Sequence, residues 1–237
     1  PRNFWRGKNH VEVNYDVKVP RGAVLNSLTS TSGNITITDA GSRVIARATS
    51  GDITVRGISG DTNISSTSGN MSAERISGTL AISSTSGDVR VNDVEAQVSA
   101  SATSGDLTIT NVRNDVVAVA TSGELRIEKV TGRLNAQATS GAVAVKDVGS
   151  DATVQGISDS VQAENIQGRL TVTAVSADVT IRNVSWNDPA HDGLPIPGLV
   201  ERECHYRCPN GRFMRIPVIN RLGCAKSRPY NPTWDTF

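Results

Sequence analysis

Three sets of residues in this chain of 237 have the types from which a site is built. The first is Cys204, His205, Cys208 and Cys224, thiol and imidazole donors of the kind that hold zinc. The second is a column spaced by eighteen residues, Asn34, Asp52, Asn70, Asp88, Asp106 and Glu124, whose carboxylates could draw calcium. The third is the triplet Thr-Ser-Gly, which begins at Thr31, Thr49, Thr67, Thr85, Thr103, Thr121 and Thr139. Seven copies of one hydroxyl pair could grip a repeating ligand or order water.

Each set falls short of its chemistry. The run C-H-x-x-C with one distant cysteine is a poor match to zinc spacings, and a single disulfide would leave an odd cysteine. One oxygen donor per eighteen residues falls short of the six to eight ligands that Ca²⁺ takes, so the acidic column reads as solvated Asx at a turn. A water-ordering threonine ladder needs a second outward threonine column two residues away. Thr29, Arg47, Ser65, Ser83, Ser101, Val119 and Gln137 stand there instead. The triplet then reads as structure: glycine for the bend, serine stacked beside it, and threonine in a partly buried column that becomes Ile157 and Val175.

Between residues 16 and 185 there is no His, Cys, Trp, Tyr or Phe. Nucleophile–base pairs built on His or Cys are therefore absent along this stretch. Carboxylate-only cleavage of polysaccharides would want aromatic platforms and cleft-building insertions, and the strict spacing leaves no room for either. No catalytic, cofactor-binding or metal-ligating residue is assigned, no cofactor is expected, and the chain reads as a non-enzyme.

The elements that carry these residues follow from the period. In rows of eighteen, Ile35, Ile53, Met71, Val89, Leu107, Leu125, Val143, Val161 and Val179 form one apolar column. Ile37, Val55, Ala73, Val91, Ile109, Ile127, Val145, Ala163 and Ile181 form another two residues on, with polar residues between. Alternation of this kind is a strand with one buried face. A third column runs from Ala40 and Ile58 to Val184, three residues further. Nine residues after the first two columns come Val44, Leu80, Val98 and Val116, then Ala46, Ile64, Ile82 and Ala100, so each row divides into two similar halves. The pattern predicts an all-β, single-domain parallel β-solenoid (β-helix) with 18-residue coils, two short strands per coil and rows about 4.8 Å apart. A three-sided hexapeptide helix fails, because six residues past Ile35 the column holds Gly41, Ser59, Ser77, Glu95 and Arg113. Right-handed crossovers are the expectation for parallel strands.

Residues 1–30 read as an N-terminal extended strand and cap, alternating through Val11, Val13, Tyr15, Val17 and Val19 before Pro20-Arg21-Gly22 turns the chain. Residues 31–185 are the solenoid. The stretch YDVKVPRGAVLNSLTSTSGNITI, followed by VIARATSGDITVRGISGD, resembles the adhesin-type β-strand repeat family, a domain of unknown function in bacterial envelope and secreted proteins. The resemblance covers about residues 4–185 and implies a β-repeat architecture, a place in the cell envelope or outside the cell, and no shared catalytic residues.

Residues 186–237 change character, holding all three cysteines and most of the prolines and aromatics, with no clear strand pattern. They read as a small zinc or disulfide module, as an irregular or disordered tail, or as an out-of-frame translation. A one-base shift from Gly193 to Cys208, with wobble bases chosen freely, restores a unit S-G-N-V-T-I.

A net charge of +1 gives no reason to expect nucleic acid, and no apolar run approaches a membrane span. The expected function is an adhesin-like rigid display or contact module, with a surface, glycan or protein as its unknown partner. The alternatives are a self-assembling envelope or cytoskeletal scaffold (bactofilin-like) joined end to end, and a polysaccharide-active β-helix. Membrane attachment is expected only through sequence beyond these 237 residues.

Overall fold

A side chain repeated every eighteenth residue can stack on its own kind only if each coil advances by one strand spacing. The computed structural model has this geometry. It describes residues 17–20 and 22–185 (of Ser176, the backbone only) and the backbone of residues 202–207 and 213–218. Among the described residues there is no helix.

In chain order the first nine strands are β1 (Leu25–Ser30), β2 (Ile35–Thr38), β3 (Val44–Ser50), β4 (Ile53–Ile58), β5 (Thr62–Ser68), β6 (Met71–Ile76), β7 (Leu80–Ser86), β8 (Val89–Val94) and β9 (Val98–Ser104). Then come β10 (Leu107–Val112), β11 (Val116–Ser122), β12 (Leu125–Val130), β13 (Leu134–Ser140), β14 (Val143–Val148), β15 (Ala152–Ser158), β16 (Val161–Ile166), β17 (Leu170–Ser176) and β18 (Val179–Val184). Odd-numbered strands form one nine-stranded sheet and even-numbered strands a second. All pairs in both sheets are parallel, and partners are eighteen residues apart, as in Leu107↔Leu125 and Val116↔Leu134. Among the described residues the one register irregularity lies between Leu25 and Leu28. Eighteen strands in two sheets make a solenoid of about nine turns, as the columns predict.

The core is the space between the sheets, filled by Val, Ile, Leu, Met and Ala from Ile37 to Ile166. A single coil cannot bury its own hydrophobic face or satisfy its backbone, so stability comes from stacking neighbours. In the last described coil Leu170, Val172, Val179 and Val184 are only partly buried.

The two half-coils differ in a way the sequence pattern did not reveal. In even strands such as β4, Ile53 and Val55 point inward, and then Gly57 takes φ +69° before Ile58 points inward again. The same left-handed residue recurs as Asp39, Arg75, Asp93, Asn111, Lys129, Asp147, Asn165 and Asn183, with φ between 51° and 60°. It uses one residue without alternating the side, which explains why the third apolar column follows by three rather than two. Odd strands have no such residue and alternate to the end, so Val44, Ala46 and Ala48 point inward.

This overturns the partly buried place expected for the triplet threonines. The threonines at 31, 49, 67, 85, 103, 121 and 139 are all exposed. Ile157 and Val175, which replace them, are 46% and 60% exposed. The inward position beside the triplet is one residue earlier, at Ala48, Ser66, Ser84, Ala102, Ala120 and Ala138. Only small residues occupy it, so the core is thinnest beside this bend.

At the N-terminal end, β1 pairs with β3, so the first half-coil begins at Leu25. Val17 and Val19 lie outside any strand and are exposed, while residues 1–16 of the expected cap, with Val11, Val13 and Tyr15, lie outside the described residues. Beyond the solenoid, β19 (Arg202–Arg207) and β20 (Phe213–Val218) pair antiparallel, where no strand pattern was expected. Pro209-Asn210-Gly211 between them is a turn signal. Cys204 and His205 belong to β19, whereas Cys208 and Cys224 lie outside the described residues.

Candidate functional site

The triplet bends stack by backbone. Gly51 N donates to Ser68 O at 3.1 Å, Gly87 N to Ser104 O at 3.0 Å and Gly105 N to Ser122 O at 3.2 Å. The serine column from Ser32 to Ser158 is exposed, and its carbonyls rather than its hydroxyls carry the expected stacking. Glycine is required there twice over. Gly105 has φ +120°, and a Cβ on it would sit 2.4 Å from the carbonyl oxygen of Gly87.

The acidic column after the glycine is a ladder. The side-chain oxygen of Asn34 accepts from Asp52 N at 2.9 Å, that of Asp52 from Asn70 N at 2.8 Å, and that of Asn70 from Asp88 N at 3.0 Å. Asp88 and Asp106 continue it to Asp106 N and Glu124 N. Each side chain caps an amide of the next coil, so one carboxylate oxygen per coil is already engaged in holding the coils together. Among the described residues no three His, Cys, Asp or Glu side chains converge where a metal ion could be held.

The opposite bend carries a second ladder that sequence reading missed. Asp61 Oδ1 accepts from Thr79 N at 3.0 Å and Thr79 Oγ1 at 2.7 Å, while Asp115 and Asp151 accept from Arg133 N and Arg169 N at 2.8 Å each. The Thr79 hydroxyl, and then its amide, hold the Asp61 carboxyl below the ordinary carboxylate range. The left-handed column adds amide–carboxylate rungs, Asn111 to Asp93 and Asn165 to Asp147. Beside it Arg75, Asp93, Glu95, Asn111 and Arg113 line an open depression of about 270 Å³ with Arg113 paired to Glu95 at 3.3 Å. Its charges are mutually neutralised and its floor is the backs of Ile76 and Val94.

The two outer faces of the solenoid are chemically unlike. On the even sheet the outward residues include Arg56, Glu74, Arg90, Arg126, Glu128, Lys146, Glu164 and Arg182. They form exposed pairs, Arg56–Glu74 and Arg126–Glu128 at 2.5 Å and Lys146–Glu164 at 3.8 Å. On the odd sheet the outward residues from β3 to β17 are Ser, Thr, Asn, Gln, Ala, Val and Ile, with Arg47 the single charge among the described residues. The face includes Val119, Ile157 and Val175, exposed large hydrophobic residues of which the even sheet's outer face shows none among the described residues. Its second column is the one in which a water-ordering ladder would need threonine, and there Ser and Gln predominate.

A family model described as Toastrack DUF4097 matches residues 7–182, three quarters of the chain and the whole of the solenoid up to β18. No curated protein and no solved structure matches.

Proposed function

The chain belongs to the Toastrack DUF4097 family, a β-strand repeat domain of unknown function, and from that premise we propose a non-enzymatic rod for display or contact at the bacterial envelope. The observation that carries this reading is the core, which runs without interruption from Ile37 to Ile166 between two sheets in constant register. Such a body is stiff along its axis and offers long side faces rather than a cleft. The outer surfaces supply ladders and neutralised ion pairs. No His or Cys stands between residues 16 and 185 to pair as nucleophile and base. Adhesin-like contact, envelope location and the choice among glycan, protein or other surface belong to this proposal.

Incubating the full chain with envelope polysaccharide preparations, while measuring bound protein and liberated reducing ends, tests the reading. Saturable binding with no reducing ends is the expected outcome. Liberated reducing ends would establish the polysaccharide-active alternative. End-to-end scaffolding is the second reading, favoured by the last described coil, where Leu170, Val172 and Val179 are only partly buried. Filaments growing with protein concentration in light scattering would support it.

A further inference from the structure

We propose that the charge-poor outer face of the odd-numbered sheet is an interface with a second copy of this chain, two rods lying side by side with opposed directions. Four observations meet on that face. It is depleted of charge from β3 to β17, whereas the other sheet carries Arg56, Glu74, Arg90, Arg126, Glu128, Lys146, Glu164 and Arg182 among its outward residues. Depletion of charge is the compositional signal that separates an interface core from ordinary surface. It exposes Val119, Ile157 and Val175 where the other face exposes salt bridges. Its central side chains, from Asn63 to Thr121, are short, so little rotamer freedom is lost when they are covered. Its size is sufficient: nine strands give roughly 40 Å along the rod at about 4.8 Å each, and the strand width is roughly 20 Å. That footprint, roughly 800 Å² per copy, is what a standard stable interface covers on each partner.

The orientation follows from the face itself. A two-fold axis along β9 overlaps all nine strands and brings β11 opposite β7 of the other copy. Val117 and Val119 then stand over Ala81 and Ser83, large over small, and Ile157 stands over Thr49. Arg47 meets Gln155, whose amide oxygen can accept from it. Rods aligned in the same direction would instead set Arg47 against Arg47, two like charges in a low-dielectric contact. The even sheet, with its ion pairs, remains outside in the pair and keeps the dimer soluble.

Sedimentation and light scattering of the full chain over a range of concentration test the pairing. The expected mass rises from the 25.0 kDa chain to twice that value and no further. Because Arg47 is the one charge on the face and meets an uncharged Gln155, association should change little between low and high salt, unlike contact through the charged sheet. Ser101→Lys sets two ammonium groups face to face at the axis and should weaken the dissociation constant at least about tenfold. Thr108→Lys, the same change on the other sheet, should leave it unaltered. If S101K lowers the thermal stability of the monomer, Thr85→Lys on the same face carries the test. A monomer at all concentrations, indifference to both lysines, or filaments larger than a dimer would overturn the proposal. The display role is read separately, from binding to envelope material, so a monomer that still binds sinks the pairing and leaves the role standing.

Discussion

At the scale of single residues the chain is held by positions where one atom too many, or one oxygen too few, breaks a column. Gly105 is the sharpest case, since it combines φ +120° with a neighbouring carbonyl that leaves no space for a Cβ. Replacing it by alanine forces the backbone out of register with the coil before it. Urea unfolding of Gly105→Ala should show a loss of about 2–3 kcal/mol, whereas Thr103→Ala, on an exposed side chain two residues away, should stay within about 0.5 kcal/mol. Asp61 is a case of the second kind. Its carboxylate accepts from the hydroxyl and amide of Thr79, which favours the ionised form and lowers its titration in the folded chain. A depressed folded value means stabilisation that is fully present above the unfolded value and is lost as pH falls through the folded one. NMR titration should therefore place the Asp61 midpoint below that of an ordinary aspartate. Thr79→Val, which removes the hydroxyl and keeps the amide, should bring it part of the way back. An unmoved midpoint would show that the ladder has no electrostatic consequence.

At the scale of the strand, the two half-coils look alike as apolar spacings and differ by one left-handed residue. The apolar columns, the parallel stacking and the number of coils were legible because each depends on identity at a fixed period. The left-handed column was not read, although its signal was present: Asp39, Gly57, Asp93, Asn111, Asp147, Asn165 and Asn183 are residues that tolerate φ near +57°. Counting only apolar positions hides a backbone conformation, so the triplet threonine reads as partly buried when it stands outside. The charge-poor face was hidden for the same reason. Which alternate residues point outward becomes visible only once each half-coil's register is known, so Ser101 and Arg47 looked like a failed ladder rather than parts of a surface. The candidate site thus depended on the one feature that periodicity could not supply. Asn111 tests the geometry directly. Asn111→Val puts a β-branched residue at φ 60° and should cost about 1–2 kcal/mol in urea unfolding, while Asn111→Gly should differ from the parent by only a few tenths. Equal effects of the two changes would mean that the side chain's rung to Asp93, and not the backbone, is what matters at this position.

At the scale of the whole molecule, the coils contact mainly their immediate neighbours, so stability is distributed along one dimension. An interior coil such as that of β9 and β10 is covered on both sides, with Val98, Ala100, Leu107 and Ile109 fully or almost fully buried. The last described coil, β17 and β18, is covered on one side by β15 and β16 and keeps Leu170, Val172, Val179 and Val184 partly open. Opening that coil exposes less apolar surface and breaks one set of inter-coil hydrogen bonds, whereas opening an interior coil breaks two. Amide hydrogen exchange should therefore be graded along the rod. The slowest amides should lie in β7 to β12 and exchange only with global unfolding, and those of β17 and β18 should exchange by local opening with a lower free energy. The same gradient decides the cost of core truncation. Leu107→Ala should remove about 3 kcal/mol and raise exchange in the coils on both sides of it. Val179→Ala should cost less than half as much and leave β7 to β12 unchanged, because its side chain is only partly buried to begin with. Uniform protection from β3 to β18 would contradict a stack of neighbour-coupled coils and would require the end of the rod to be covered as well as its middle.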